Sequence, residues 1–339
     1  MKHNIEILKT SNEMHHCSSM AVTRNGYFIV YYQGQECTDK QRVIILYRGR
    51  NGHQETLELE SKTGNPIVWV EEDRVMLMYS IFTDATEEGT KIDFGKYLVR
   101  RWMHCDNYLA EISMGNSLHI KNVKKINGAY GLLARCQPIQ VNNTTLIPLY
   151  REKNPECQIW KSDGDNIELL SKFGTNSTSL KSKCKELGYE YGNLGEGAAI
   201  QPTLICAGGK IHAFCRNTCF NNARKTYAWL STSKDNGLNW SDLEKINVPN
   251  HHNSLVAIPK DDGSFYLVIN TDPPRSNMIL YDTKTGHSIP LSSPMFNKRN
   301  SFSYPNYAWD EDTLHIIHTN CQLIAWHSID KEFLNEAFG

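Results

Sequence analysis

The chain has almost no excess of charge of either sign: 36 Lys and Arg stand against 37 Asp and Glu in 339 residues, a formal net charge of -1. Proteins that hold nucleic acid through its phosphates usually carry a basic excess or stripe, so the balance argues against a nucleic-acid partner. No apolar run approaches the ~18 residues needed to cross a bilayer, and no transmembrane segment is expected. The opening Met1–Glu6 lacks the apolar stretch of a signal peptide, which points to a cytoplasmic chain. Ten cysteines in this length are too few for a disulfide scaffold, and they read as reduced thiols. Neither a phosphate-cradling Walker loop nor a dinucleotide fingerprint occurs, so no cofactor is expected. No Pro/Gly/Ser-rich linker or shift in composition divides the sequence, and residues 1–339 read as one domain. Helical periodicity is scarce, with Ser179–Leu187 and Lys331–Phe338 as the exceptions.

What the sequence does have is strands, rich in Val, Ile, Tyr, Phe and Trp between Gly, Asn and Asp turns. One unit recurs: a turn, then a strand of apolar residues. It starts at Gly26, Asp73, Asn143, Gly209, Gly263 and Asp312, at intervals of 47, 70, 66, 54 and 49 residues. That is the ~40–50 residue scale of a four-stranded propeller blade, with insertions in two blades. A strand precedes each turn (Ser19–Thr23, Pro66–Val70, Pro138–Val141, Pro202–Cys206, Leu255–Pro259 and Pro305–Trp309), and in most units a further strand follows the repeat. Six such units make an all-β, six-bladed β-propeller of four-stranded antiparallel blades. The last unit runs out of chain after its third strand, and residues 4–9 are expected to supply the fourth. Closing the ring this way removes free sheet edges. The two insertions, roughly 83–101 and 171–195, carry Tyr97, Tyr189 and Tyr191 and read as lids or rims over a site.

In a propeller the innermost strands line the central channel. Aligning the units by these strands puts Ser18, Asn65, Gln137, Gln201, Asn253 and Tyr304 in one register, four of them followed by Pro. A full ring of polar residues where core strands would be apolar points to a ligand-facing funnel, since unpaired buried polar groups cost about 1–3 kcal/mol each. His15-His16-Cys17 contains metal-ligand residue types, but neighbours on a strand point to opposite faces and no metal site is expected.

Ser233-Lys-Asp235-Asn-Gly237-Leu-Asn-Trp240 fits Ser-x-Asp-x-Gly-x-x-Trp, a turn in which Gly237 takes positive φ, Asp235 bonds the turn's backbone and Trp240 packs on the blade. It resembles the Asp box of neuraminidase repeats. Residues 195–204 (Gly-Glu-Gly-Ala-Ala-Ile-Gln-Pro-Thr-Leu), His212–Arg216, Pro249–Leu255, Leu267–Asn270 and Phe302–Pro305 are similar to the later blades of the sialidase-like BNR-repeat family. His15–Ser19 and Gly34–Glu36 are similar to its first blade. The resemblance runs in order over nearly the whole chain. It implies a six-bladed propeller and, in many members, exo-hydrolysis of a terminal 2-keto-3-deoxy acidic sugar, so the expected partner is an acidic glycan.

Such sugars carry a carboxylate on the anomeric carbon, which guanidinium groups hold by paired charge-assisted bonds. By the resemblance, Arg216 and Arg275 fall where the family's second and third carboxylate-binding arginines stand. His16 occupies the place of the first, and Arg135, just before the third inner strand, is the candidate to replace it. Tyr304 fits the family's tyrosine nucleophile, both by register and by resemblance; a neutral phenol avoids the repulsion an attacking carboxylate would meet beside the sugar acid. Pro305 is expected to hold Tyr304 extended. The family's partner glutamate would fall at Gln201, which cannot take a proton, so Glu196 is expected to serve instead. Glu36 and Asp39, in the turn after the first middle strand, are the candidates for the general acid. Three readings follow: a sialidase-type exo-glycosidase acting on a nonulosonic or 3-deoxy-octulosonic acid, an enzyme acting on another acidic sugar, and a non-catalytic glycan-binding propeller.

Overall fold

The computed structural model describes residues 3–8, 11–36, 38–83, 103–152, 155–163, 166–174, 198–218, 227–272, 275–291 and 301–339. Each repeated turn joins an inner strand to the next strand out, and the six units fold into six antiparallel sheets. The first holds β2 (His15–Thr23), β3 (Gly26–Gln33), β4 (Arg42–Gly49) and β5 (Gln54–Ser61). The second holds β6 (Thr63–Glu71), β7 (Arg74–Phe82), β8 (Cys105–Met114) and β9 (Leu118–Lys125). In the third, the inner strand is broken into β10 (Leu133–Ala134) and β11 (Ile139–Val141), followed by β12 (Thr144–Arg151), β13 (Glu156–Ser162) and β14 (Ile167–Phe173). The fourth comprises β15 (Ala199–Ala207), β16 (Lys210–Asn217), β17 (Tyr227–Ser233) and β18 (Glu244–Pro249). The fifth comprises β19 (Val256–Pro259), β20 (Phe265–Asn270), β21 (Met278–Asp282) and β22 (Ser288–Pro290). The sixth takes β23 (Phe302–Asp310), β24 (Thr313–Asn320) and β25 (Leu323–Asp330) from the end of the chain and β1 (His3–Leu8) from its start. The helix α1 (Lys331–Phe338) follows, and it buries Leu334 and Phe338 between the fifth and sixth blades.

Burial explains why the units alternate as they do. Middle strands such as β3, β7 and β24 are buried along nearly their whole length, because a neighbouring blade covers each face. Outer strands such as β5 alternate between half-buried and exposed residues. The core is therefore divided into six clusters, one at each blade interface, and a smaller seventh of Phe82, Cys105, Leu133, Tyr150 and Ile200 that joins the second, third and fourth blades. Around the hub, β2 abuts β6, β6 abuts β10, and β15, β19 and β23 lead back to β2. Leu8 of β1 packs with Met20, Ile29 and Trp326 at the seam between first and last blades.

The closing strand is also tied in by a row of histidines on β1, β25 and β24. His3 Nε2 lies 3.0 Å from His327 Nδ1, and His327 Nε2 lies 3.0 Å from His318 Nε2. His318 Nδ1 lies 3.1 Å from the Thr319 carbonyl.

The Ser233–Trp240 motif is the turn between β17 and β18. Gly237 has φ +86°, the Asp235 carboxylate accepts from the Asn239 backbone at 2.9 Å, and the Trp240 indole donates to the Gly237 carbonyl at 3.0 Å. Trp240 stacks on Phe173 of the third blade, ring centres 4.6 Å apart. The motif thus seals a blade interface. Of the two helices expected, α1 forms, and Ser179–Leu187 lies outside the described residues.

Candidate functional site

Four inner strands break step at the same point. Two residues oppose one between His16 and Ser19 of β2, Gly64 and Ile67 of β6, Ile200 and Thr203 of β15, and Ser303 and Asn306 of β23. The first residue of each extra pair is left-handed: Cys17 (φ 61°), Asn65 (47°), Gln201 (52°) and Tyr304 (55°). In the fifth blade His252 (φ 60°), in the loop before β19, has the same conformation. Left-handed backbone is uncommon for residues other than Gly and costs energy, so its recurrence at one end of the hub marks a place where side chains are aimed for a purpose. Tyr304 is therefore not extended as Pro305 led us to expect; the bulge overrides that bias. The six-residue polar register is shifted as well: the left-handed residue is Cys17 rather than Ser18 and His252 rather than Asn253. In those two blades no proline follows to anchor the alignment.

The third blade supplies a plug instead of a bulge. Between β10 and β11, Arg135 sends its guanidinium across the hub, where it donates to the Ser18 carbonyl (3.3 Å) and the Pro305 carbonyl (3.0 Å). Gln137 Nε2 donates to the Met20 and Val68 carbonyls. Arg135 is only 1% exposed, and its Cζ lies 4.9 Å from the centre of the Tyr304 ring. It underpins the tyrosine, and no contact joins it to Arg216 or Arg275 among the described residues. His16 meets the same ring edge-on, with centres 4.6 Å apart. Burial, together with the charges of Arg135 and Arg275, pushes the His16 pKa down to about 3, so this imidazole is neutral.

Arg216, at the end of β16, is buried, and its Nη2 lies 2.8 Å from His252 Nε2. Arg275, in the turn after β20, donates from Nη2 to the His252 carbonyl at 3.1 Å. Burial and the charge of Arg216 both lower the Arg275 pKa, whereas Tyr304 and Glu36 raise it. Burial raises the Tyr304 pKa above the ordinary phenol value; Glu36 and Cys17 add to this, and Arg216 and Arg275 oppose it. Tyr304, Arg216, Arg275 and His16 thus act on one another around one end of the hub.

Glu36 is solvent-accessible yet walled by protein, as a side chain on the flank of a funnel is. Desolvation raises its pKa, Glu152 raises it further, and a hydrogen bond from Tyr32 and the charge of Arg275 lower it. Asp39 shares the β3–β4 turn, but it makes no contact with Tyr304, Arg216 or Arg275 among the described residues. Gln201 is 2% exposed; its Nε2 donates to the Tyr150 hydroxyl at 3.0 Å, and its Oε1 is buried without a partner. Glu196 and the tyrosines of the two insertions lie outside the described residues.

Three residues near this site were not singled out from the sequence: Tyr150, Glu152 and His252. Tyr150 was within reach, since it follows Asn143 by the same seven residues by which Arg216 follows Gly209. Burial and Glu152 push its pKa well up. A cavity of about 720 Å³ lies elsewhere, between Tyr266, Trp309 and α1. Its three lysines are each paired, as Lys260–Asp282, Lys284–Asp262 and Lys331–Asp261, which leaves it no cation for an acidic ligand among the described residues, so we place the site at Tyr304.

Comparison with solved structures agrees on the architecture. Sialidase from Trypanosoma rangeli in complex with sialic acid superposes with a TM-score of 0.65 at 12% identity, over 96% of this chain and 55% of that one. The same sialidase with the inhibitor DANA gives 0.67 at 10% identity, over 96% and 56%. A subtype N10 neuraminidase-like protein of A/little yellow-shouldered bat/Guatemala/060/2010 gives 0.57 at 8% identity, over 96% and 98%. The chain therefore spans little more than half the length of the trypanosomal enzyme, and identities this low speak for the fold alone. No curated protein matches the chain. The BNR repeat-like domain family, in contrast, matches residues 29–316, most of the chain and five of its six repeated turns. The six blades, the Asp-box turn and this match together make the chain a member of the BNR repeat-like domain family, with a sialidase-like six-bladed propeller fold.

Proposed function

We propose that the protein is a sialidase-type exo-glycosidase that removes a terminal 2-keto-3-deoxy acidic sugar, a nonulosonic or 3-deoxy-octulosonic acid, from a glycoconjugate. The observation that carries this reading is the grouping of Tyr304 with two guanidinium groups, one buried (Arg216) and one partly buried (Arg275). In the proposed reaction Arg216 and Arg275 hold the sugar carboxylate. The Tyr304 oxygen attacks the anomeric carbon as its proton passes to a carboxylate, for which Glu196 is our candidate. Glu36 gives its proton to the departing glycosidic oxygen. Water, deprotonated by Glu36, then cleaves the sugar–tyrosine bond and the phenol regains its proton. The pKa directions support these roles. A phenol raised by burial rests neutral and needs a base, and a raised carboxyl is suited to act as an acid.

One observation favours a second reading, a non-catalytic glycan-binding propeller. Gln201 stands where the family places its glutamate, and its amide accepts no proton. A hydrolysis screen with fluorogenic glycosides of several keto-deoxy acids separates the two. Turnover of one of them supports the enzyme; failure on all, with measurable binding of the free sugar acids, supports the binding propeller.

A further inference from the structure

The two guanidinium groups of the clamp carry like charge, Arg216 buried and Arg275 partly buried, and one residue touches both. Arg216 cannot lose a proton, so in its 2.8 Å contact with His252 the arginine donates and His252 Nε2 accepts. The imidazole must then be neutral, with its hydrogen on Nδ1. The carbonyl of the same residue takes the Arg275 Nη2 hydrogen at 3.1 Å. His252 aims its ring at one arginine and its carbonyl at the other from a left-handed backbone, φ 60°. The loop that holds it is braced on both sides. The Asn250 side chain accepts from the Asn217 backbone at 3.0 Å and donates to the Asn253 carbonyl at 2.8 Å. On the other side, the Asn253 side chain donates to the Asp272 carbonyl at 3.4 Å, and the Arg275 backbone donates to the same carbonyl at 3.2 Å.

We propose that His252 is a positioning residue, a neutral acceptor that sets the spacing and orientation of Arg216 and Arg275 for a ligand carboxylate. The proposal deepens the functional reading above and rests on it. Its chemistry is specific: a lone pair at the ε position, with no charge of its own, satisfies one guanidinium without adding a third positive group.

The test has two arms. In the unliganded full chain, ¹⁵N-histidine NMR at pH 7.5 reads the tautomer, with the His252 resonance assigned by its loss in His252→Gln. The proposal requires neutral imidazole with hydrogen on Nδ1; imidazolium or the Nε2–H form overturns it. In the second arm, calorimetry measures binding of DANA to wild type, His252→Gln and His252→Leu. Glutamine offers an amide oxygen close to the Nε2 position and is expected to stay within about threefold of wild type. Leucine, of similar bulk without an acceptor, is expected to lose tenfold or more while its melting temperature stays close to that of the glutamine variant. Equal affinities in the two variants overturn the proposal. A wild type that binds no keto-deoxy acid overturns the reading of the site, and the first arm still decides the state of His252.

Discussion

Lowering the pH should loosen the sixth blade, and the histidine row allows the effect to be worked out. The Thr319 carbonyl takes the Nδ1 hydrogen of His318, which leaves His318 Nε2 to accept from His327 Nε2–H and His327 Nδ1 to accept from His3 Nε2–H. All three rings are satisfied as neutral imidazoles. Burial pushes His318 down to about 4; burial and the neighbouring rings push His327 well below its ordinary value, and burial lowers His3. No carboxylate among the described residues acts on the row to offset this. A histidine whose folded pKa is depressed takes up a proton in the unfolded chain first, so stability falls as pH drops below about 6.5 and goes on falling until the folded pKa is reached. For His318 alone, a drop from 6.5 to about 4 means a loss of about 2 kcal/mol between pH 7.5 and pH 5.0. That is a large part of the 5–15 kcal/mol typical of folded proteins. Carboxylates with depressed pKa act mostly below pH 5, and the raised Glu36 carboxyl takes up its proton first in the folded chain and so acts in the opposite direction; a net loss of stability in this window therefore reports histidines. Urea unfolding at pH 7.5, 6.5, 5.5 and 5.0 gives the slope. His318→Gln should reduce it by about one proton's worth, ~1.4 kcal/mol per pH unit. A wild type equally stable at pH 7.5 and 5.0, or a variant with an unchanged slope, would refute the argument.

Three further outcomes follow. Removing residues 1–9 deletes β1, including buried Leu8 and the Glu6–Arg48 ion pair, and should cost about 2–4 kcal/mol, seen as a lowered melting temperature. An unchanged melting temperature would mean that β1 does not close the ring in solution. Gly237→Ala forces a side chain to φ +86° and brings its Cβ to 3.2 Å from Leu146, so a loss of about 1–2 kcal/mol is expected in urea unfolding. Arg216→Ala should weaken DANA binding by about 2–5 kcal/mol, and Arg216→Lys should recover little of it, because lysine cannot make the paired contact; full binding by both variants would remove Arg216 from the clamp.

The blades were legible because their signal is repeated and physical: a turn, then a buried strand, six times. The site was legible only where a local rule marked it. Proline after Asn65, Gln201 and Tyr304 gave the right residue in three blades, although a sequence rule for the residue before proline predicted the wrong backbone for Tyr304. Where Ser19 or Ser254 stands two residues beyond the bulged position and no proline follows, the assignment slipped by one, to Ser18 and Asn253. The third inner strand was expected at Pro138–Val141, yet Arg135 and Gln137 hold the hub by bonds to three other blades, which interrupts the strand. Arg135 consequently braces Tyr304, a role that depends on contacts up to 170 residues distant in sequence. The His252 contacts to Arg216 and Arg275 span 36 and 23 residues, and no spacing rule reports them.

In the proposed reaction Tyr304 attacks an acidic sugar held by Arg216 and Arg275. A 2,3-difluorinated keto-deoxy acid offers the most direct measurement, because such a compound slows release of a glycosyl–enzyme. The wild type and Tyr304→Phe, both checked for folding by circular dichroism, would be incubated with 2,3-difluorosialic acid and 2,3-difluoro-KDN, digested and read by mass spectrometry. An added sugar mass is expected on the wild-type peptide that contains Tyr304, and none in Tyr304→Phe. Turnover of a keto-deoxy glycoside by Tyr304→Phe at the wild-type rate, or an adduct on any other residue, would contradict this role for Tyr304.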